Sequence, residues 1–307
     1  MDVRRGIESL PLGRGATAVT IGFFDGVHRG HQAVIRRTVE AASSRALVPV
    51  AVTFDRHPRE ILTPGTVPKL LTTLERKAGL IAELGVETLV VLEFTDDFSR
   101  WPPEEFVRRT LVEGLSAEHV VVGSNFTFGH KAMGNLAALA DLGAANGFGI
   151  EGVGLLKVEG RTVSSTSIRA ALADADLEWP DVALGRRYVV DGRVTTGAGR
   201  GTSLGFPTAN LEVPARMLLP GEGVYAGRAY VQGASFVAAI NVGTNPTFGG
   251  EELHAEAFLL DFEGDLRGKS IALEFWERLR DEARFDSPEA LARQISDDVK
   301  RTRALVS

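Results

Sequence analysis

The sequence predicts an α/β protein of two domains: a doubly wound domain around a parallel sheet, then a small antiparallel β-barrel with a C-terminal helix. Three observations lead there. Up to about residue 182, short apolar runs alternate with segments of helical periodicity. Beyond it, strand-like segments follow one another and only the last segment is helical. The first apolar run also ends in a glycine turn that opens a helix, Gly22-Phe-Phe-Asp-Gly-Val-His-Arg-Gly-His31, which puts a ligand site at a strand's carboxyl end.

Each element has a local reason. Val19 and Ile21 mark a buried strand, residues 22–26 a tight turn, and 32–42 a helix carrying Val34, Ile35 and Val39. Residues 47–54 are almost all apolar, as expected of a strand covered on both faces. Residues 74–84 read as a helix that stops at Gly85, and 88–94 as another buried strand. Pro103 starts a helix with Val107, Leu111 and Leu115 on one face, before a strand over 119–122. A short helix over 136–142 and a strand over 150–156 complete the alternation.

The boundary is expected within residues 177–185, giving domains 1–182 and 183–307. Residues 187–194 read as a hairpin through an Asp191-Gly192 turn. Strands are expected at 224–231, 236–242, 254–262 and 270–279. Ser287 caps the last helix, Pro288 takes its first position, and Leu291, Ile295 and Val299 form a stripe.

Composition narrows the function classes. A chain of 307 residues accommodates two domains with proper cores. With 34 basic and 40 acidic residues the net charge is −6, so no broad basic field favours nucleic acid. The absence of cysteine excludes disulfides and cysteine-ligated metals and agrees with a reducing cytoplasm. No long apolar stretch suggests a signal peptide or membrane span. The sequence leaves the oligomeric state open.

His28 and His31 lie three apart in a helix's first turn and share a face. Free N–H groups and partial positive charge make that position a phosphate site, and Gly30 lets phosphate approach the backbone. Such a pair also suits zinc, but no His-Glu-x-x-His pattern and no cysteine supports that. Ser164, Ser165, Thr166 and Ser167 precede Arg169 at another helix start, where the hydroxyls serve either as a cap or as a polyphosphate cradle. After a strand, Gly123-Ser-Asn-Phe-Thr-Phe-Gly129 carries Asn125, Phe126 and Phe128; the rings serve as core or as a surface for a flat ligand.

In the second domain Gly197, Gly199 and Gly201 alternate around Arg200, a backbone able to approach phosphates, without the Gly-Lys-Ser/Thr of a Walker loop. Thr208 and Asn210, two apart in an extended segment, point the same way and offer oxygens suited to Mg²⁺. Glu256 alternates with Ala257 on a strand, where an acidic residue is by itself simply solvated.

The strand, His-x-Gly-His, helix order resembles the nucleotidyltransferase superfamily, and Gly22–Gln32 resembles its bacterial FAD synthetase branch. Gly205-Phe-Pro-Thr-Ala-Asn210 resembles the riboflavin kinase signature, so the chain resembles the bifunctional riboflavin kinase/FAD synthetase family along nearly its whole length. The resemblance implies a Rossmann-like first domain that makes FAD from FMN and ATP, and a barrel that makes FMN from riboflavin and ATP, with Mg²⁺ serving both. It implies catalytic roles for His28, His31, Arg169 and Glu256, the last as base. ATP and phosphate contacts are implied for Gly22, Phe23, Asp25, Gly26, Gly30, Ser164, Ser165, Thr166, Gly197, Gly199, Arg200 and Gly201. Flavin contacts are implied for Asn125, Phe126, Phe128 and Asn241, and metal ligation for Thr208 and Asn210. Thr127, Phe258 and Arg267 depart from the common pattern of Arg, His and Tyr. The segment 53–58 also resembles a family element, although no chemical role follows for His57. Two competing readings are adenylation of another phosphorylated acceptor, and a C-terminal module that binds flavin without turnover.

Overall fold

The strand Thr17–Ile21 (β2) is buried along its whole length, and its position explains the first half of the chain. In this computed structural model, which describes residues 1–13, 15–195, 206–244, 253–283 and 285–306, it pairs in parallel with Val48–Phe54 (β3) on one side and Ala117–Gly123 (β5) on the other. With Asp2–Arg5 (β1), Thr88–Leu92 (β4) and Gly149–Val153 (β6), the order is β1-β4-β3-β2-β5-β6, all parallel. The chain therefore leaves β2 in one direction and later resumes on its other flank. A crevice opens at the carboxyl end of such a switch strand.

Both sheet faces are covered. Val50, Val52, Val90 and Leu92 pack with Leu111, Val120 and Leu139 on one face, while Ala51, Leu89 and Val91 pack with Ile35 and Ile81 on the other. This two-sided burial is why these strands read as continuous apolar runs. β1 escaped the sequence reading because Asp2-Val-Arg-Arg carries one apolar side chain; an edge strand is held by its backbone pairs with Thr88–Val91. The helix Arg29–Arg45 begins three residues earlier than expected, and Leu136–Asn146 ends four later. A small hairpin, Lys157–Val158 (β7) with Arg161–Thr162 (β8), was also not anticipated.

The chain divides into two units: Met1–Pro68 with Thr73–Ser164, and Lys69–Thr72 with Ser165–Ser307. The second holds helices Ser165–Ala173 and Glu178–Leu184 and a closed antiparallel barrel. Among the described residues its strands are Tyr188–Thr195 (β9), Ala209–Glu212 (β10), Gly223–Val231 (β11), Ala234–Thr244 (β12), Leu253–Leu259 (β13) and Ser270–Arg280 (β14), in the order β10-β13-β12-β11-β14-β9. β9 pairs with β10 to close the ring.

The expected Asp191-Gly192 hairpin is not formed. β9 runs straight through it, with Asp191 opposite Ala272 and Gly192 opposite Ile271. Neither residue has the positive φ that a two-residue Asp-Gly turn requires. The glycine has a different purpose: a Cβ there would lie 2.9 Å from the Glu212 carbonyl oxygen, so it lets β10 approach.

Ser287 Oγ accepts from the Ala290 N–H at 3.2 Å and caps helix Pro288–Val306. The anticipated stripe Leu291, Ile295 and Val299 is only half-buried; the deeply buried row is Asp298, Thr302 and Val306. The helix is rotated toward that row by a fork in which Arg280 Nη2 meets Asp298 Oδ2 at 2.8 Å.

Candidate active sites

The first candidate site is assembled where β2 ends. Gly22 N–H still donates to Val52, after which Phe24 (φ 53°) and Val27 (φ 40°) adopt left-handed conformations around Asp25-Gly26. Gly22 is required because a Cβ there would meet the Phe24 ring at 2.8 Å. His28 follows as the N-cap: its Nδ1 accepts from the His31 N–H at 3.2 Å. With Nδ1 an acceptor, the neutral ring carries its proton on Nε2, which becomes a donor.

His28 and His31 stack face to face, ring centroids 3.6 Å apart and planes 16° apart, and the Phe24 ring meets His31 edge-on at 5.4 Å. His28 is buried and His31 half-buried. A Cβ on Gly30 would lie 3.1 Å from the His28 ring and 3.8 Å from the Val163 carbonyl, so the stretch ending in Ser164 runs beside this helix start. The stacked imidazoles thus lie at a helix N-terminus, where partial positive charge favours an anion.

The sequence reading missed a buried lysine beneath this turn. Lys77, on helix Leu74–Glu83, is 3 % exposed; its Nζ donates to the Phe23 carbonyl at 2.7 Å and lies 4.0 Å over the Phe23 ring. Thr53 Oγ1 donates to the same carbonyl at 3.1 Å. Burial pulls the Lys77 ammonium down to about 8, partly opposed by the Asp25 carboxylate. A lysine on the helix face shared with Ala78 and Ile81 was the available signal. His57 packs edge-on against Phe23 at 4.9 Å, and its Nδ1 accepts from the Arg59 N–H, a turn-capping role.

Of the remaining residues of this unit, Asn125 is exposed in the turn after β5, and its side-chain oxygen lies 3.2 Å from where a Cβ on Gly123 would sit. Phe128 is buried against Phe106 and stacks on half-buried Phe126 at 5.5 Å. Phe54, Phe94, Phe98, Trp101 and Phe106 form a continuous aromatic array that Phe128 joins. In the second unit, Ser165 and Thr166 open their helix, Ser167 Oγ accepts from Trp179 Nε1, and Arg169 Nε donates to the Lys69 carbonyl at 2.7 Å.

The second candidate site lies on the outer face of the barrel. Register places Asn210, Glu256 and Asn241 directly opposite one another on β10, β13 and β12. Their neighbours Ala209, Leu211, Ala255, Ala257, Ile240 and Val242 fill the interior, so strand alternation turns the three polar side chains outward together. Thr208 Oγ1 donates to Glu256 Oε2 at 3.3 Å, and Asn241 Nδ2 donates to Glu282 Oε1 at 2.9 Å. Thr208 thus contacts Glu256, and Asn210 sits opposite it in the register. Glu282 was not anticipated; it follows β14 in an exposed segment with no local motif. Phe258 packs edge-on against Phe206. Gly197, Gly199, Arg200 and Gly201 lie outside the described residues.

A switch-strand helix start bearing paired imidazoles, together with a barrel bearing an oxygen-rich polar row, defines a two-centre enzyme that handles phosphorylated ligands. The family comparisons make this specific. Residues 13–167 match the family described as FAD synthetase and residues 184–306 the one described as riboflavin kinase. Among curated relatives, the bifunctional riboflavin kinase/FMN adenylyltransferase of Pseudomonas fluorescens is 40% identical, covering 100% of this chain and 98% of its own. That of Bacillus subtilis (strain 168) is 35% identical over 92% and 90%. The chain belongs to the bifunctional riboflavin kinase/FMN adenylyltransferase family. A crystal structure from Streptococcus pneumoniae, described as a macrolide-efflux protein, superimposes with TM-score 0.89 at 29% identity over 99% of both chains. Among the described residues, no helix is long and apolar enough to cross a membrane.

Proposed function

We propose that this chain makes FMN from riboflavin and ATP at the barrel, and FAD from FMN and ATP at the parallel-sheet unit. The observation that carries the reading is the stacked His28–His31 pair at a helix start on the switch strand. Adenylyl transfer joins an FMN phosphate oxygen to the α-phosphorus of ATP while the bond to the β-phosphate bridging oxygen breaks, releasing pyrophosphate. The nucleophile is already anionic near neutral pH, so alignment and charge neutralisation at phosphorus are what the protein must supply. His28 Nε2–H and the His31 ring donate to the phosphorus oxygens, with Gly30 leaving room for them. Gly22, Phe23, Asp25 and Gly26 shape the nucleotide pocket. Ser164, Ser165 and Thr166 cradle phosphate and Arg169 balances the leaving pyrophosphate. Asn125 and Phe126 contact the flavin, and Phe128 supports Phe126.

At the barrel the nucleophile is riboflavin's terminal ribityl hydroxyl, which is neutral and needs a base. Glu256 takes its proton as oxygen joins the γ-phosphorus and ADP departs. Thr208 and Asn210 offer a hydroxyl and an amide oxygen beside that carboxylate, a donor set that fits a hard divalent cation. Mg²⁺ held there supplies charge neutralisation on the ATP phosphates. Asn241 borders the flavin, and the glycine-rich stretch of Gly197, Gly199 and Gly201 with Arg200 serves the phosphates. We assign the two activities to residues 1–182 and 183–307, and the protein to the cytoplasm, with riboflavin, FMN and ATP as its partners and neither nucleic acid nor membrane among them.

Chromatography of the products from riboflavin, ATP and Mg²⁺ tests the reading. The full-length protein is expected to yield FMN and then FAD. Glu256→Gln is expected to form no FMN yet convert added FMN to FAD. Flavin retained without conversion by the wild-type protein would overturn it.

A further inference from the structure

The turn that delivers His28 to the helix start is strained. Phe24 and Val27 both hold positive φ without being glycine, a conformation that persists only where the surroundings over-determine it. At its far end, Gln32 Nε2 donates to the Val27 carbonyl at 2.9 Å. At its near end, two side chains from other strands and helices converge on one oxygen: Lys77 Nζ and Thr53 Oγ1 on the Phe23 carbonyl. The lysine is nearly inaccessible, lies against the Phe23 ring face and has the Asp25 carboxylate as its charge partner.

A buried ammonium is expensive to desolvate, and an apolar residue of the same length would stabilise the fold better if packing were its only task. We infer that Lys77 is a positioning residue for adenylyl transfer: its ammonium clamps the Phe23 carbonyl and so holds the left-handed turn that sets His28 and His31 against the reacting phosphorus. The inference rests on the adenylyl transfer reading. The Lys77 ammonium is engaged by the turn itself, by the carbonyl and ring of Phe23 with the Asp25 carboxylate as charge partner. Removal of the clamp lets the turn relax, displacing the imidazoles from their working position while the helix N–H groups that receive the triphosphate persist.

The consequence is a split between turnover and affinity. In the full-length protein, Lys77→Met is expected to lower kcat for FMN adenylylation about 10- to 100-fold, in keeping with the sensitivity of transfer to misplacement near 1 Å. KM for ATP should stay within about threefold, since uniform ground-state contacts are kept. Riboflavin phosphorylation by the same preparation should be unchanged, which reports an intact second unit. Thr53→Val, which removes the weaker donor to the same oxygen, should lower kcat a few-fold. The double variant should lose less than the product of the two single losses, because both act on one carbonyl. If Lys77→Met alone fails to fold, Thr53→Val decides by the same kcat measurement.

Unchanged kcat in the folded variants would overturn the inference, as would a rise in KM for ATP at constant kcat, which marks a binding group. Wild-type protein that forms no FAD from FMN and ATP would instead overturn the reading on which it rests.

Discussion

Asn241 and Glu282 are joined across the barrel surface, the carboxamide Nδ2 donating to the carboxylate at 2.9 Å, and Glu256 lies directly opposite Asn241 in the register. Glu282 also overlies Gly243, where any Cβ would collide with its carboxylate. A carboxylate only accepts, so it fixes which end of the Asn241 amide faces it and presents the carbonyl oxygen on the other side.

Glu282→Gln, which also donates and lets that amide invert, is expected to raise KM for riboflavin several-fold in the kinase reaction. Melting temperature and FMN adenylylation should not change, because the pair is exposed and lies on the barrel. Steady-state kinetics with riboflavin as the varied substrate checks this; identical KM values would remove Glu282 from the kinase site.

His28 caps a helix and, in the proposed reading, also donates to the reacting phosphate; two substitutions separate these tasks. Its Nδ1 caps the helix, a contact worth about 1 kcal/mol. His28→Asn keeps an acceptor for the His31 N–H, whereas His28→Ala does not. Both are expected to slow adenylyl transfer by about 100-fold or more, as loss of a donor to a developing oxyanion does. Denaturant unfolding should show the deficit only in the alanine variant.

Gly192→Ala tests the corrected reading of β9. A methyl group must displace the Glu212 carbonyl, which it would meet at 2.9 Å, and a strand backbone yields poorly. Destabilisation of about 1–3 kcal/mol is expected. A turn glycine at positive φ would also dislike alanine, so Gly192→D-Ala by chemical ligation discriminates: it would be tolerated in a turn and not in this strand.

Asp181 gives the second unit a pH dependence. Burial pushes its carboxyl up to about 6, against the opposing pull of the Arg187 guanidinium bonded to it. The folded state therefore binds the proton more tightly than the unfolded chain does. Stability from this group is complete below about pH 4 and is lost as pH rises toward 6. Removing the titration with Asp181→Asn should flatten that segment of an unfolding-versus-pH curve; a curve parallel to wild type across it would contradict the assignment.

Local chemistry determined much of this protein. Two-sided apolar runs marked β2 to β5, alternation and turn residues marked β11 to β14, and His28, Gly30 and His31 announced the helix start that follows β2. Thr208, Asn210 and Glu256 were legible as residues, since side-chain direction along one strand follows from its period of two. Tertiary structure decided what depends on partners distant in sequence. The Phe23 clamp joins residues 54 apart, and the Asn241–Glu282 bond joins residues 41 apart. Pairing partners likewise turned Asp191-Gly192 from a turn into mid-strand and recruited the charged β1 to a sheet edge. A residue's own neighbours set its backbone preference and the side of the strand it faces. What waits on that side is settled only when the chain closes over long separations, and there register, burial and charge partners are chosen together.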